Sequence, residues 1–284
     1  MKILIAKTPT ILITTNNEEN KMVDFDKLFE EYFRNWYAKN KNNLTPDEAE
    51  NSLPEVYEEW VTTPCAELDG QSPEQFLLAI TDVKVLIDAF SEGNDSSLLL
   101  DRMMDMPECV PYLIDLINKN ESAVVTVSAM DLLEEMNAQH PFETYVKMLA
   151  DENADDAIRE KCAEILKQYA SLVKDNLFPL IEGAGETLKQ MIAEILVETD
   201  KDERTYNLLR DLFLSGSNVP YAAGLIGKYG DERAAEFLYP ALDVCNYLEF
   251  IEIRNAIEQM GGVVDDNYRD FSDDEFYKAI KNLK

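Results

Sequence analysis

A single histidine serves all 284 residues, and that scarcity removes the commonest general base from almost the whole chain. A hydrolytic relay needs a nucleophile, a base and a group that orients the base. His140 stands before Pro141 at a turn between two apolar segments, where exposure is expected and a relay is not. Closely spaced Cys or His pairs, as structural zinc requires, are also missing. Cys65, Cys109, Cys162 and Cys245 lie far apart, each in or beside an apolar helical stretch, and are expected to be reduced, mostly buried thiols. Cys65 follows Thr62, Thr63 and Pro64 and has no basic neighbour in sequence to lower its pKa.

Basic residues are few. Against 56 Asp and Glu there are 26 Lys and Arg, a formal charge of −30, which repels phosphate backbones and anionic lipid surfaces. The deficit is not local: residues 1–94 carry net −10 and residues 95–284 net −20. Nucleic acid and membranes are therefore not expected partners. No uninterrupted apolar run approaches the roughly 18 residues that cross a bilayer. Lys7 and Pro9 interrupt the partly apolar start Met1 to Thr15, so no signal peptide is expected and a cytoplasmic location is. The carboxylate-rich stretches at 151–156 and 265–274 lack the central glycine of an EF-hand loop. Gly183 and Gly185 follow a helical pattern without a P-loop lysine, and Gly224, Gly227 and Lys228 lack the loop and the following Ser or Thr. These glycines read as a helix stop and as close helix packing. No catalytic, metal or cofactor site is expected.

What the chain does have is repetition. Ala163-Glu164-Ile165-Leu166 returns as Ala193-Glu194-Ile195-Leu196, with weaker copies at Ala129 to Leu132 and Ala223 to Ile226. The small residue recurs at 129, 163, 193 and 223, and all four alanines are expected to be buried where adjacent hairpins approach. Around it the apolar spacing is helical, as in Ile158, Cys162, Ile165, Leu166 and Tyr169. A second apolar helix follows each copy, near 110–119, 141–150, 172–182, 203–214 and 233–243. Turn residues separate the helices at Pro141, Gly183 to Gly185, Ser215 to Asn218, and Gly230 with Asp231. A hairpin of about 32 residues cannot bury its apolar face alone, so neighbours must stack.

The run Leu225 to Leu238, with Gly230-Asp231 and Ala234-Ala235 between two helices, resembles the HEAT-repeat pattern. Asp156-Ala157-Ile158-Arg159 and Ile253-Arg254 resemble the start of a HEAT first helix with its arginine. The resemblance covers roughly 95–284 and implies an all-α, right-handed α-α superhelix of about six hairpins, a solenoid whose usual role is protein binding. By the same resemblance Arg159 and Arg254 are expected to be structural, reaching a carboxylate or helix-end carbonyls of a neighbouring hairpin.

Residues 1–94 do not follow the repeat and are expected to form a helical cap or small domain. Phe25, Phe29, Tyr32, Phe33, Trp36 and Tyr37 make one aromatic stripe on a helix near 23–39, which either packs as core or offers a partner groove. Ser72 reads as an N-cap, Pro73 as the first helical residue and Asp69-Gly70 as a turn. The polar stretch 91–97 marks the expected boundary with the array.

The functional expectation is a non-catalytic scaffold that binds a protein or peptide of basic character on an acidic concave surface lined by the second helices. On a helical wheel, Leu113, Leu116 and Ile117, or Leu208, Leu209 and Leu212, face neighbouring hairpins. Tyr112 and Asp115, Glu143 and Lys147, Arg210 and Asp211, and Glu236 and Tyr239 then face outward as candidate partner-binding residues. The competing class is an enzyme on a HEAT-like array, such as a DNA glycosylase for alkylated bases, which needs a positively charged groove. Oligomeric state is not legible.

Overall fold

The computed structural model describes residues 22–265 and 267–281; the short extended piece allowed for within residues 1–15, and the signal-peptide reading there, lie outside them. Among the described residues the protein is all-α, with helices, three short 3₁₀ turns and no strand. Among the described residues no helix is long and apolar enough to cross a membrane. The chain divides into two compact units, Met1–His140 and Pro141–Lys284.

Unit 1 holds α1 (Phe25–Asn40), α2 (Pro46–Asn51), α3 (Leu53–Thr62), α4 (Pro73–Ala79), α5 (Val83–Ser91), α6 (Ser97–Met104), α7 (Val110–Lys119) and α8 (Ala123–Glu135). Local chemistry sets the starts. Ser72 and Gln75 form a reciprocal capping box ahead of α4, with Pro73 in the first turn, and Asp69 and Gly70 take the positive φ that the preceding turn needs. The aromatic stripe of α1 divides. Phe25 is fully buried and meets Phe76 edge-on at 6.1 Å. Phe29 packs on Tyr57 and Trp60 of α3 at 5.0 and 5.2 Å. Tyr32, Phe33, Trp36 and Tyr37 stay half-buried, Phe33 stacked on Trp36. Helix α4 packs on α6, α5 on α7, and α6 on α8. This next-but-one stacking is what a helical array requires, and the polar stretch 91–97 lies inside it.

Unit 2 holds α9 (Phe142–Ala150), α10 (Asp156–Gln168), α11 (Ala170–Ile181), α12 (Glu186–Leu196), α13 (Glu203–Ser215), α14 (Val219–Tyr229), α15 (Ala235–Ala241), α16 (Tyr247–Gln259) and α17 (Glu275–Lys281). These agree closely with the helices expected from the repeat. Gly216 and Gly230 end α13 and α14 in the left-handed conformation, where a side chain would be strained. From α9 to α14 each helix packs on the next, as do α15 on α16 and α16 on α17; α9 also packs on α11, α10 on α12 and α14 on α16. The unit is a solenoid-like stack.

The small-residue register holds at three of its four positions. Ala129, Ala193 and Ala223 are fully buried. Ala163 is half-buried, contrary to expectation. Its helix buries only Cys162, Ile165 and Leu166 of the four repeat positions, whereas α12 buries Ile192, Ala193, Ile195 and Leu196; the buried face of α10 is narrower by one residue. Two helices approach closely at Gly227. A Cβ built there would stand 2.9 Å from Ala256 Cα on α16, so glycine sets that spacing. Gly224 serves no such purpose: it is exposed, and a Cβ there meets nothing within 4 Å.

A candidate interaction groove on the second helices of unit 2

Helix α13 begins where Asp202 accepts the backbone N–H of Arg204, and the arginine then folds back. Its Nε and Nη2 donate to the Asp202 carboxylate at 3.1 and 2.9 Å, and Nη2 reaches Asp175 of α11 at 3.1 Å. The guanidinium lies 3.7 Å above the Phe178 ring centroid. One repeat later the same tripeptide, Asp231-Glu232-Arg233, does the same: Asp231 accepts from Arg233, Arg233 bonds Glu203 at 2.8 Å, and its guanidinium lies 4.0 Å over Tyr206. Hydrogen bonds from Arg204 hold the Asp202 carboxyl down at about 2. Asp231 is lowered by Arg233 in the same way. Asp-Glu-Arg is a second repeat signal beside Ala-Glu-Ile-Leu, its two copies standing 29 residues apart in the sequence.

The other face of unit 2 has its own cross-links. Lys167 of α10 bonds Glu194 of α12 at 2.9 Å, and Glu194 accepts from Tyr221 of α14 at 3.2 Å. Lys167 and Tyr221 lower the Glu194 carboxyl, while burial and Glu194 raise the Tyr221 phenol to about 12. Arg159 donates to Leu149 O at the end of α9 (3.3 Å) and to Met191 Sδ (3.7 Å), a structural role of the expected kind. Arg254 forms an ion pair with Glu258, one turn along its own helix, at 2.7 Å.

Between α11 and α13, closed off by the start of α12, runs a groove of about 440 Å³. Its floor is apolar: Phe178 and Ile181 from α11, Leu208 and Leu212 from α13. Carboxylates stand around it, with Glu182, Glu186 and Asp211 exposed on the rim. Lys189 and Arg204 also border it, and Arg204 is already engaged with Asp175 and Asp202. Leu208 and Leu212 lie one helical turn apart and Asp211 beside them, so one face of α13 supplies both floor and rim.

Of the eight candidate residues, only Asp211 lines this groove. Arg210, half-buried, pairs with Asp211 at 3.0 Å. Glu143 and Lys147 are exposed on α9 and Glu236 on α15. Tyr239 is at the edge of exposure, its hydroxyl bridging the backbone N–H and carbonyl of Val263, both at 3.3 Å. Tyr112 and Asp115 are exposed on α7 in unit 1, with Asp115 paired to Lys119 at 2.7 Å.

His140 is a correction: it is buried, not exposed. Asn137 takes a positive φ after α8 and Ala138 donates to Leu133 O at 2.9 Å, which turns the chain back and carries His140 inward. All four cysteines are free thiols, Cys65 half-buried and the other three buried. Burial pushes Cys109 to about 11 and Cys162 to about 12, and raises Cys65 and Cys245, so none is an activated thiolate. Among the described residues no three His, Cys, Asp or Glu side chains gather as a metal-holding group. Compared with protein-family models, with curated proteins and with solved structures, the chain matches none of them.

Proposed function

We propose that this protein is a non-catalytic interaction scaffold, a HEAT-like helical stack whose second helices receive a partner protein or peptide of basic character. The observation that carries the reading is the α11/α13 groove, an apolar floor rimmed by Glu182, Glu186 and Asp211. Apolar area supplies affinity, and carboxylates around it select and steer cationic partners. A net charge of −30 extends that steering over the whole molecule and opposes a nucleic-acid-processing role. Free thiols held largely in the core fit a reducing, cytoplasmic setting.

The experiment is to isolate a partner by cross-linking in the source cell, purify both proteins and measure their affinity across a salt series. The scaffold reading expects a direct 1:1 complex, with Kd rising steeply as salt screens the acidic surface. Affinity indifferent to salt contradicts the acidic surface, and turnover of the bound partner or of a small molecule contradicts the non-catalytic role.

A further inference from the structure

We infer that the α11/α13 groove is a lysine-selective site: it takes a lysine side chain of the partner, in preference to an arginine. The inference rests on the scaffold reading for its setting and on the groove alone for its chemistry. A guanidinium gains both from stacking on an aromatic face and from forking a carboxylate, whereas an ammonium needs only a point acceptor. The groove has one aromatic ring, Phe178, and the chain's own Arg204 already covers it at 3.7 Å. The floor that remains is aliphatic: Ile181, Leu208 and Leu212.

A linear four-carbon stem ending in a compact ammonium suits such a floor. The methylenes lie along the leucines and isoleucine while the charge rises to the rim. There it meets Glu182, Glu186 and Asp211. Among the described residues the Glu182 side chain has no hydrogen bond or ion pair, Glu186 accepts a long 3.5 Å bond from Ser215, and Asp211 is paired to Arg210 at the surface. The rim therefore has unspent acceptor capacity on the side where α11 turns into α12. Lys189 also lines the groove and among the described residues pairs with no carboxylate; its charge opposes any incoming cation, so the groove takes no more than one lysine.

The test uses the full chain and three capped peptides of equal length: an alternating alanine–lysine peptide, its arginine counterpart and its norleucine counterpart. Binding is measured by titration calorimetry to the wild type and to two doubly charge-reversed variants. One carries Glu182→Lys with Glu186→Lys in the groove. The other carries Asp156→Lys with Glu160→Lys on α10, which changes the net charge equally. The expected result is that the lysine peptide binds, the arginine peptide binds several-fold more weakly and the norleucine peptide does not bind. The groove variant should lose about ten-fold in affinity for the lysine peptide, or about 1.4 kcal/mol, and the α10 variant less than about two-fold. Equal losses in the two variants would show a diffuse field instead of a site. Arginine binding as tightly as lysine would overturn the selectivity. A native partner whose binding ignores the groove variant overturns this inference and leaves the scaffold standing; a lysine-selective groove in a protein without any macromolecular partner does the reverse.

Discussion

The guanidinium of Arg204 stacks on Phe178 of the preceding second helix at 3.7 Å, and Arg233 repeats the arrangement on Tyr206 at 4.0 Å. Each arginine also joins the N-cap aspartate of its own helix to a carboxylate one repeat earlier. The hairpins of unit 2 are thus clamped together on their second-helix side by a cation between a ring and two acids. Arg204→Ala should lower the urea midpoint of unfolding, and Arg204→Lys should recover only part of the loss, because an ammonium keeps the charge but not the planar stack. Equal midpoints for the alanine and lysine variants would show that the ring contributes nothing.

The same clamp fixes an acid limb. Asp202 is held at about 2 in the fold, below the roughly 3.9 of a free aspartate. A depressed folded pKa means that its stabilisation is present above the unfolded value and is lost as pH falls from about 4 toward 2. Asp231 and Glu194 shift in the same direction. Thermal melting as a function of pH should therefore fall steeply through that window, and Asp202→Asn should flatten the fall. An unchanged acid limb in the variant would contradict the shift.

Two glycines three residues apart should respond oppositely. Gly227→Ala forces a methyl to within 2.9 Å of Ala256 Cα, an overpacking that costs about 1–3 kcal/mol. Gly224→Ala meets nothing and, on a helix surface, should stabilise by about 0.5–1 kcal/mol. Chemical denaturation distinguishes them; like-signed changes would contradict the α14–α16 packing.

The alanine register gives a parallel contrast. Ala193→Leu, at a fully buried position, should cost about 1–3 kcal/mol, and Ala163→Leu, at a half-buried one, distinctly less. Equal losses would place Ala163 in the core after all.

Thiol accessibility can be read directly with a disulfide reagent in native buffer. Cys65 is half-buried, whereas Cys109 and Cys162 are buried and pushed to about 11 and 12. One thiol per chain should react quickly, and Cys65→Ser should remove that phase. A fast phase surviving the substitution would contradict the burial.

The helices were legible because apolar spacing and turn chemistry are local properties. The second helices expected near 203–214 and 172–182 are found at Glu203–Ser215 and Ala170–Ile181. Ser72 and Pro73 start α4 as their types require. What was not legible depends on neighbours in space. Ala163 shares its tetrapeptide with Ala193, yet the width of a buried face is set by the helices around it. His140 looked exposed because Pro141 marks a turn, and a turn residue can still be folded inward. The groove was missed for a related reason. Phe178 and Ile181 are apolar, and a wheel assigns every apolar residue to the core; only the space between α11 and α13 shows that they floor an opening. The outward position of Asp211 was legible because a carboxylate on the same turns as the buried Leu208 and Leu212 must point to solvent.

The most direct measurement of the central claim is amide chemical-shift mapping of the full chain on titration with its purified partner. The account predicts that the largest perturbations fall on the groove walls, at Phe178, Ile181, Asn207, Asp211 and Leu212, and that they diminish as salt is added. Perturbations confined to the first helices of unit 2, such as α10 and α12, or to unit 1, would contradict it.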